Sequence, residues 1–238
     1  MASGRADRLL IVNADDFGQD PAFNRGTALA HDHGIVTSAS LMVRWPASQD
    51  AADRAAQRPG LSLGLHLDLG EWTCRDGTWE PLYTVADVTD RAVVEREVDR
   101  QLGLFHELVG AAPTHLDSHQ HVHRDEPVRG VLTRAARELG VPLREGGSVG
   151  YCGRFYGQSG TGLPYPGGVT VASLVAVLGE LPEGSWELSC HPADAECALG
   201  TMYRTERVTE LASLCDPAVA RAVQDAGLTL ASFTQVAR

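Results

Sequence analysis

Ten residues near the middle of the chain hold an unusual density of side chains that bind metal ions and transfer protons. The segment 114–123, THLDSHQHVH, contains four of the nine histidines together with Asp117. Imidazole titrates near neutral pH and is the commonest metal ligand in proteins, so this crowding predicts a metal site. His119, His121 and His123 share a face if the segment is extended, whereas only His119 and His123 share one if it is helical. A surface turn with incidental histidines is the alternative.

Further side chains of the same chemical kind come at the ends of other predicted strands. Asp15 and Asp16 follow the apolar run 9–12, His66 follows 61–65, Arg144 ends 141–144, and His191 follows 186–189. In parallel α/β proteins the carboxyl ends of the strands lie at one edge, where the active site is found. We therefore expect these residues and the histidine segment to form one site.

The residue types indicate hydrolytic chemistry. One carboxylate and two imidazoles leave a bound metal with open positions for water and substrate. Adjacent residues at a strand end point in different directions, so one of Asp15 and Asp16 can ligate the metal while the other remains a free base. His191 is a candidate general acid for a leaving amine, and Arg144 either holds the base or binds a substrate oxygen. The competing interpretations are a helix-capping Asp pair, packed histidines at strand positions 66 and 191, and an exposed salt bridge at Arg144.

Three neighbouring residues have supporting roles in this interpretation. Asp117 can orient a ligating histidine, as carboxylates next to metal sites commonly do. His115 lies before the end of its strand, and we expect it to be structural. Cys190 has no activating neighbour in the sequence, so a small core residue is favoured over a thiolate nucleophile.

Apolar runs that alternate with amphipathic segments predict an α/β protein, a deformed TIM-like (β/α) barrel of about seven parallel strands. No repeat or linker divides the chain, so residues 1–238 are expected to form one domain. Residues 70–90 are predicted as a loop or small excursion, and the glycine-rich residues 146–168 as a long active-site loop. The predicted strands are 9–12, 36–43, 61–65, 114–116, 141–144, 186–189 and 228–233, and the predicted helices are 22–33, 47–57, 92–109, 125–139, 172–181, 205–214 and 217–226.

The composition argues against several classes of protein. The 20 basic and 31 acidic residues give a formal net charge of −11, which disfavours a nucleic-acid partner because phosphate binding needs clustered Lys and Arg. Five cysteines without CxxC spacing disfavour a disulfide framework and a structural zinc knuckle. The sequence shows neither a signal-peptide pattern nor an apolar run of about 18 residues, so we expect a cytoplasmic protein without membrane contact. A homodimer is left open.

With these motifs assembled, the chain resembles the ChbG/YdjC (HpnK-like) family of carbohydrate deacetylases. The resemblance is carried by LIVNADDFG at 10–18, NRG at 24–26, GIVTS at 34–38, GLH at 64–66, PTHLDSHQHVH at 113–123 and CHP at 190–192. It covers nearly the whole chain. The regions that depart from the family pattern are residues 66–94 and the glycine-rich stretch 146–168, which should shape a sugar pocket. Chitooligosaccharide specificity is therefore not implied.

The resemblance implies a deformed (β/α) barrel that removes an N-acetyl group from an amino sugar. By that likeness Asp16, His66 and His119 would hold one divalent metal ion, Asp15 would be the base and His191 the acid. The family ion is magnesium or zinc, and a set of one aspartate and two histidines favours zinc because magnesium prefers oxygen ligands. The expected partner is a small N-acetylated sugar.

Two alternatives to N-deacetylation stay open at this point. One is metal-dependent hydrolysis of another amide or of a phosphoester, although few basic residues lie near the motifs. The other is a non-catalytic sugar- or metal-binding relative, which would need neither Asp15 nor His191. Aromatic side chains in the two departing regions could stack on sugar faces, or could instead be core residues or loop anchors, namely Trp72, Trp79, Tyr151, Phe155, Tyr156 and Tyr165.

Overall fold

The computed structural model describes residues 8–197 and 199–236. Its strands are β1 (Leu9–Phe17), β2 (Ser38–Leu41), β3 (Ser62–Leu67), β4 (Gly70–Arg75), β5 (Thr78–Thr84), β6 (Leu116–Ser118), β7 (Gly150–Cys152), β8 (Ser185–Cys190) and β9 (Thr229–Leu230). Its helices are α1 (Pro21–His33), α2 (Ser48–Ala56), α3 (Arg91–Val109), α4 (Val128–Leu139), α5 (Val171–Glu180), α6 (Thr205–Leu214), α7 (Pro217–Asp225) and α8 (Phe233–Val236). Two 3-10 turns cover His119–Arg124 and Pro166–Val169.

A parallel sheet with strand order β6-β3-β2-β1-β8-β7 forms the centre of the molecule, and β9 pairs with the first residues of β1. Strand β1 lies in the middle because its apolar residues Leu10, Ile11 and Val12 are fully buried. A strand covered on both faces reads as a continuous apolar run, and such strands form parallel sheets beneath helices. Because the strands are parallel, their carboxyl ends all lie at the same edge of the sheet.

The sheet curls into a barrel around a polar interior. Arg144 contacts carboxylates on three strands, with its Nη2 atom 2.7 Å from Asp15 on β1, 2.9 Å from Asp117 on β6 and 2.6 Å from Glu187 on β8. Strand β6 is at one end of the sheet and β8 is next to the other end, so one side chain can reach both only if the sheet bends round it. The predicted deformed barrel of about seven parallel strands is confirmed.

Two of the predicted boundaries differ from the structure near the point where the barrel closes. Residues 141–144 form only an isolated bridge from Leu143 to Leu116 rather than a strand, because Pro142 has no N–H to donate. Strand β7 lies inside the stretch that we predicted as a long loop, where it pairs with β8. The barrel is therefore open between residue 144 and β7.

The helices begin and end close to their predicted limits because the capping residues are well placed. Asp20, Asp90 and Asp216 accept hydrogen bonds from the first turns of α1, α3 and α7. Gly110 and Gly140 end α3 and α4 in the left-handed conformation that glycine adopts freely. Helix α4 starts at residue 128 rather than 125, because the histidine segment continues into a 3-10 turn.

The small excursion predicted for residues 70–90 is an antiparallel hairpin of β4 and β5 outside the parallel sheet. Gln120 fixes the hairpin to the 3-10 turn His119–Arg124, which we call the histidine turn. The Gln120 side chain accepts a hydrogen bond from Trp72 N at 2.8 Å and donates one to Trp72 O at 2.9 Å. Within residues 8–197 and 199–236, no helix has both the length and the apolar character to cross a membrane.

Candidate active site

The carboxyl ends of β1, β3 and β6 bring the predicted residues into one cluster. The sheet register deviates between Ala14 and Phe17, and Asp16 has a φ of 61°. This left-handed residue rotates the backbone so that two adjacent carboxylates separate. Asp15 points toward Arg144 inside the barrel, whereas Asp16 points toward two histidines. The two carboxylates point in different directions, as expected from the sequence, because of this local backbone conformation.

Asp16, His66 and His119 form a compact set of buried donor atoms. Asp16 Oδ1 lies 3.2 Å from His66 Nε2 and 2.9 Å from His119 Nδ1. All three side chains are less than one-tenth exposed. Two atoms that each lie about 2.0–2.2 Å from one ion are separated by distances of this order. The three residues therefore fit a shared divalent cation.

Hydrogen bonding from behind orients the first histidine for that role. His66 Nδ1 lies 2.7 Å from Asp117 Oδ1, which leaves Nε2 facing Asp16 with no hydrogen bond of its own. Ser40 donates a hydrogen bond of 2.6 Å to the other Asp117 oxygen. This carboxylate–imidazole arrangement is the usual support for a metal ligand. Asp117 thus has the predicted position beside a candidate ligand.

The charges around the three donors favour a cation. Burial lowers the pKa of His66, but Asp117 and Asp16 outweigh it and raise that pKa to about 9. Burial also lowers the pKa of His119, but Asp16 and Glu71 outweigh it and hold that pKa well above the usual range. The excess of negative charge that favours a proton on these rings also favours a metal ion between them.

Two charged residues that the sequence motifs did not indicate also contact the candidate metal ligands. Arg207 on α6 donates a 2.6 Å hydrogen bond to Asp16 Oδ2, leaving Oδ1 for the histidines. Although burial raises the pKa of Asp16, Arg207 and His119 hold it well below the ordinary value. Glu71 on β4 lies with Oε2 3.5 Å from His119 Nε2.

Asp15 is held by a bidentate pair with Arg144. Both guanidinium Nη atoms donate to the two Asp15 oxygens at 2.7 Å. Arg144 has a fully buried side chain and is absent from the lining of the main cavity. Arg144 thus contacts Asp15 from the barrel interior, away from the cavity.

The buried charges around Arg144 shift one another's pKa values. Burial raises the pKa of Asp15, but attraction and hydrogen bonding from Arg144 bring it below the ordinary value. Burial also raises the pKa of Asp117, and Arg144 with His66 more than reverses that effect. Glu187 gains less from the shared guanidinium, and burial raises its pKa to about 7.

His191 lines the same cavity as Asp16, His66 and His119, and it lies next to Asp15. Its Nε2 atom is 3.9 Å from Asp15 Oδ2, and its Nδ1 atom is 3.7 Å from Glu210 Oε1. Glu210 also accepts a hydrogen bond from the His191 backbone N–H. The rings of Tyr156 and Tyr203 lie 5.4 Å from the His191 ring. These contacts position the imidazole with Nε2 directed toward Asp15.

A cavity of about 610 Å³ joins these groups. It exposes one face to the donor set and has walls from the β4–β5 hairpin, the histidine turn and the glycine-rich stretch. Its volume is within the usual range for small-molecule sites. Residues of this lining include Asp15, Asp16, His66, Glu71, Trp72, Trp79, His119, His121, Arg124, Tyr151, Tyr156, His191, Met202, Tyr203 and Arg207.

Of the aromatic residues in the departing regions, Trp72, Trp79, Tyr151 and Tyr156 line this cavity. Phe155 is fully buried in the core and Tyr165 is exposed. The sequence could not separate these two groups, because both occur in stretches without a clear hydrophobic periodicity.

Two other sequence expectations concern residues outside the cavity. His115 is buried, and its ring stacks on Phe233 at 3.8 Å, as suits a structural residue. Burial lowers its pKa to about 4. Cys190 is likewise fully buried, and burial raises the pKa of its thiol, so a small core residue fits better than a thiolate nucleophile.

A family model described as YdjC-like protein matches residues 9–225. The chain belongs to this YdjC-like family. The family resemblance expected from the motifs is therefore confirmed. The chain is 32% identical to the carbohydrate deacetylase of Geobacillus stearothermophilus over 96% of this chain and 98% of that protein. It is 29% identical to the chitooligosaccharide deacetylase of Serratia marcescens over 95% of this chain and 98% of that protein.

Solved structures show the same fold for this YdjC-like chain. A protein of Enterococcus faecalis V583, described as a candidate cellobiose-phosphate cleavage protein, superposes with a TM-score of 0.77 at 24% identity and covers 98% of this chain and 100% of its own. A family 4 carbohydrate esterase from Streptomyces lividans, solved with acetate, gives a TM-score of 0.56 at 12% identity over 94% of this chain and 92% of its own. At these identities the likeness concerns the fold.

Proposed function

We propose that this chain is a metal-dependent hydrolase that removes an N-acetyl group from an amino sugar or small glycoconjugate. One observation carries the proposal: a single cavity is lined by two candidate proton-transfer groups, Asp15 and His191, and by the three candidate metal ligands described above. The deacetylase names of the relatives at about 30% identity support the same reaction. A binding protein would have no need of the paired base and acid.

Asp15 suits the role of general base. Its bidentate pair with Arg144 keeps it ionised near neutral pH and fixes the direction of its oxygens. An ionised carboxylate can accept a proton from a water molecule as that water attacks the amide carbonyl carbon. Arg144 acts as a positioning residue in this proposal, because it reaches Asp15 from the barrel interior.

His191 suits the role of general acid. Attack of water on the carbonyl carbon forms a C–O bond, and the C–N bond then breaks as the nitrogen receives a proton. His191 Nε2 faces the cavity close to Asp15, where it can donate that proton to the leaving amine. Glu210 Oε1 lies 3.7 Å from Nδ1 on the opposite side of the ring and helps to hold Nε2 toward the cavity. The products are acetate and a free amine.

Asp16, His66 and His119 would hold the metal ion. When bound, a divalent ion polarises the amide carbonyl and lowers the pKa of water. The donor set of one carboxylate oxygen and two imidazole nitrogens favours zinc over magnesium, which prefers oxygen ligands. Arg207 restricts Asp16 to one free oxygen and so limits the number of protein ligands.

The substrate class follows from the shape and lining of the cavity. Aromatic side chains such as Trp72 and Trp79 line it on the hairpin side, and Tyr156 lines it near His191. Aromatic faces stack on the apolar faces of sugar rings, while the volume of about 610 Å³ suits one or a few rings. We therefore propose a small N-acetylated sugar as the substrate.

Acetate release from a panel of N-acetylated sugars tests the reaction. The panel includes N-acetylglucosamine, diacetylchitobiose and a sugar phosphate, so that hydrolysis of an ester bond to phosphate would be detected separately. We expect acetate from at least one acetylated sugar, loss of activity after chelation and recovery with zinc. Persistent activity after complete metal removal would contradict the mechanism, and phosphate release alone would contradict the reaction class.

Asp15→Asn provides a sharper test of the base. This variant should lose about 10²–10⁴-fold in kcat while it retains the metal content of the unaltered protein. Asp99→Asn is the matched control, since Asp99 is exposed on α3 and should leave both properties unchanged. Loss of metal from Asp15→Asn would mean that the roles of Asp15 and Asp16 are exchanged.

A further inference from the structure

A second cluster of metal-binding side chains is formed by two later histidines of the 3-10 turn His119–Arg124 and by Glu145. Candidate ligand atoms of His121, His123 and Glu145 all lie within 4.8 Å of one another. Glu145 Oε2 is 3.5 Å from His123 Nε2. None of the three belongs to the donor set of Asp16, His66 and His119. We call them the 121–145 cluster.

Each histidine of the 121–145 cluster has one ring nitrogen bonded and the other without a partner. His121 Nε2 lies 3.1 Å from the Tyr151 hydroxyl, and its buried Nδ1 has no hydrogen bond. His123 Nδ1 lies 2.6 Å from Ser118 Oγ, and its buried Nε2 has no hydrogen bond. A buried polar atom without a partner costs about 1–3 kcal/mol. Both histidines therefore have a ring nitrogen available to bind a cation beside the Glu145 carboxylate.

The hydrogen bonds behind the two rings resemble those that orient metal ligands elsewhere in proteins. A ligating histidine normally uses its second nitrogen to bond a fixed polar group, which sets the tautomer and the ring orientation. Tyr151 and Ser118 fill that position for His121 and His123. His123 is only 3% exposed, so its free Nε2 atom has little access to water as an alternative partner.

The backbone explains how residues two positions apart reach the same point. Gln120 and His121 have φ values of 49° and 56°, and Glu145 has a φ of 58°. These left-handed conformations are unfavourable for residues other than glycine. The two at Gln120 and His121 change the direction of the chain after His119. As a result His119 lies beside Asp16, while His121 and His123 lie beside Glu145.

We propose that His121 Nδ1, His123 Nε2 and the Glu145 carboxylate form a second metal site, selective for zinc or a similar transition metal. Two imidazoles with one carboxylate suit Zn²⁺, Co²⁺ and Ni²⁺, whereas Mg²⁺ and Ca²⁺ prefer oxygen ligands. This site is additional to the one in the proposed deacetylation and is not required for it.

Arg124 sets the expected order of affinity between the two sites. Its guanidinium donates to both Glu145 oxygens, at 2.7 Å and 3.0 Å. An ion on this carboxylate has to share it with a fixed positive charge, and Glu145 is about one-third exposed. The 121–145 cluster should therefore fill after the Asp16 site as the zinc concentration rises.

Zinc stoichiometry of the full chain tests the proposal. The protein is stripped with chelator, titrated with Zn²⁺ by calorimetry at pH 7.5, and its bound metal is counted by mass spectrometry. We expect two equivalents for the unaltered protein and one for His123→Gln or Glu145→Gln. His106→Gln is the matched control, because His106 is exposed on α3, and it should keep two.

Asp16→Asn separates the second site from the first. This variant should keep one equivalent, and with Co²⁺ in place of zinc that equivalent should show visible absorption that disappears on adding Glu145→Gln. One equivalent in both the unaltered protein and Asp16→Asn would mean that the first site fails while the second stands. One equivalent in the unaltered protein and none in Asp16→Asn would overturn the second site.

Two further outcomes also decide the proposal. Two equivalents in both cluster variants would overturn it, since neither residue would then be a ligand. If His123→Gln shows no cooperative thermal transition, Glu145→Gln decides alone, because its partly exposed side chain can change without disturbing the core.

Discussion

Replacing Glu187 by glutamine should stabilise the protein, and the gain should grow with pH. Glu187 shares Arg144 with two other carboxylates, and burial raises its pKa to about 7. The ordinary value for glutamate is 4.5. A raised pKa means that the folded state holds the proton more tightly than the unfolded chain. The free energy of unfolding therefore falls as pH rises from about 4.5 through 7 and then levels off.

The size of the effect follows from these two pKa values. Each pKa unit corresponds to about 1.36 kcal/mol, so the full penalty above pH 7 is about 3.4 kcal/mol as an upper bound. About 1.4 kcal/mol of it is already present at pH 5.5. Glutamine keeps an oxygen that can accept the bonds from Arg144 Nε and Nη2, at 2.8 Å and 2.6 Å, but carries no charge. The stability difference between variant and unaltered protein should grow by about 2 kcal/mol between pH 5.5 and 8.5.

Thermal unfolding at the two pH values measures this difference. For a chain of this size, about 2 kcal/mol corresponds to roughly 4–8 °C in Tm. Glu107→Gln, at an exposed position on α3, is the matched control and should show no pH-dependent difference. Comparing each variant with the unaltered protein at the same pH removes the contribution of other titrating groups. A difference that is equal at both pH values, or a variant that loses stability at pH 8.5, would refute the reasoning.

Three other predictions follow from the packing and the proposed chemistry. Gly64→Ala places a Cβ atom 2.4 Å from the His115 ring, which is held on Phe233, so Tm should fall by the equivalent of about 1–3 kcal/mol. Gly103→Ala is the control, because nothing lies within 4 Å of its Cβ position, and Tm should rise or stay unchanged. His191→Gln should reduce kcat about 10²–10⁴-fold with unchanged metal content; unchanged kcat would exclude it as the acid. Zinc added to stripped protein should raise Tm as well as restore acetate release, and a Tm independent of zinc would contradict a folded-state metal site.

Much of the fold could be predicted from the sequence because local signals agree with the tertiary structure. Helix α6 has its predicted limits of 205–214, and α7 begins at the predicted residue 217. The apolar run at 9–12 identified the central strand. Strand β7 was missed because three residues among many glycines show no periodicity. Its structure depends on pairing with β8, which is distant in sequence.

Some residues of the candidate site could likewise be predicted from the sequence, and others could not. The residues that end strands could be found, since the topology of a parallel sheet places them together. Arg207 and Glu210 could not, because an amphipathic interpretation of α6 would turn Val208 inward. The structure instead leaves Val208 37% exposed and buries the two charged residues against Asp16 and His191. Glu187 did give a signal, as a charged residue within a predicted buried strand.

The β4–β5 hairpin has a consequence for how substrate preference can change among related proteins. The hairpin is inserted between β3 and α3 and forms a sheet of its own. It is therefore not part of the parallel sheet that holds Asp15 and Asp16. Its distal part is largely exposed, and loop length has only a weak effect on stability. The exposed residues 75–81 can therefore be exchanged or resized as a module, because the contacts of Trp72 with Gln120 and of Tyr83 with Asp68 lie outside that stretch. A new cavity wall could arise this way while the catalytic groups and the folding core stay intact.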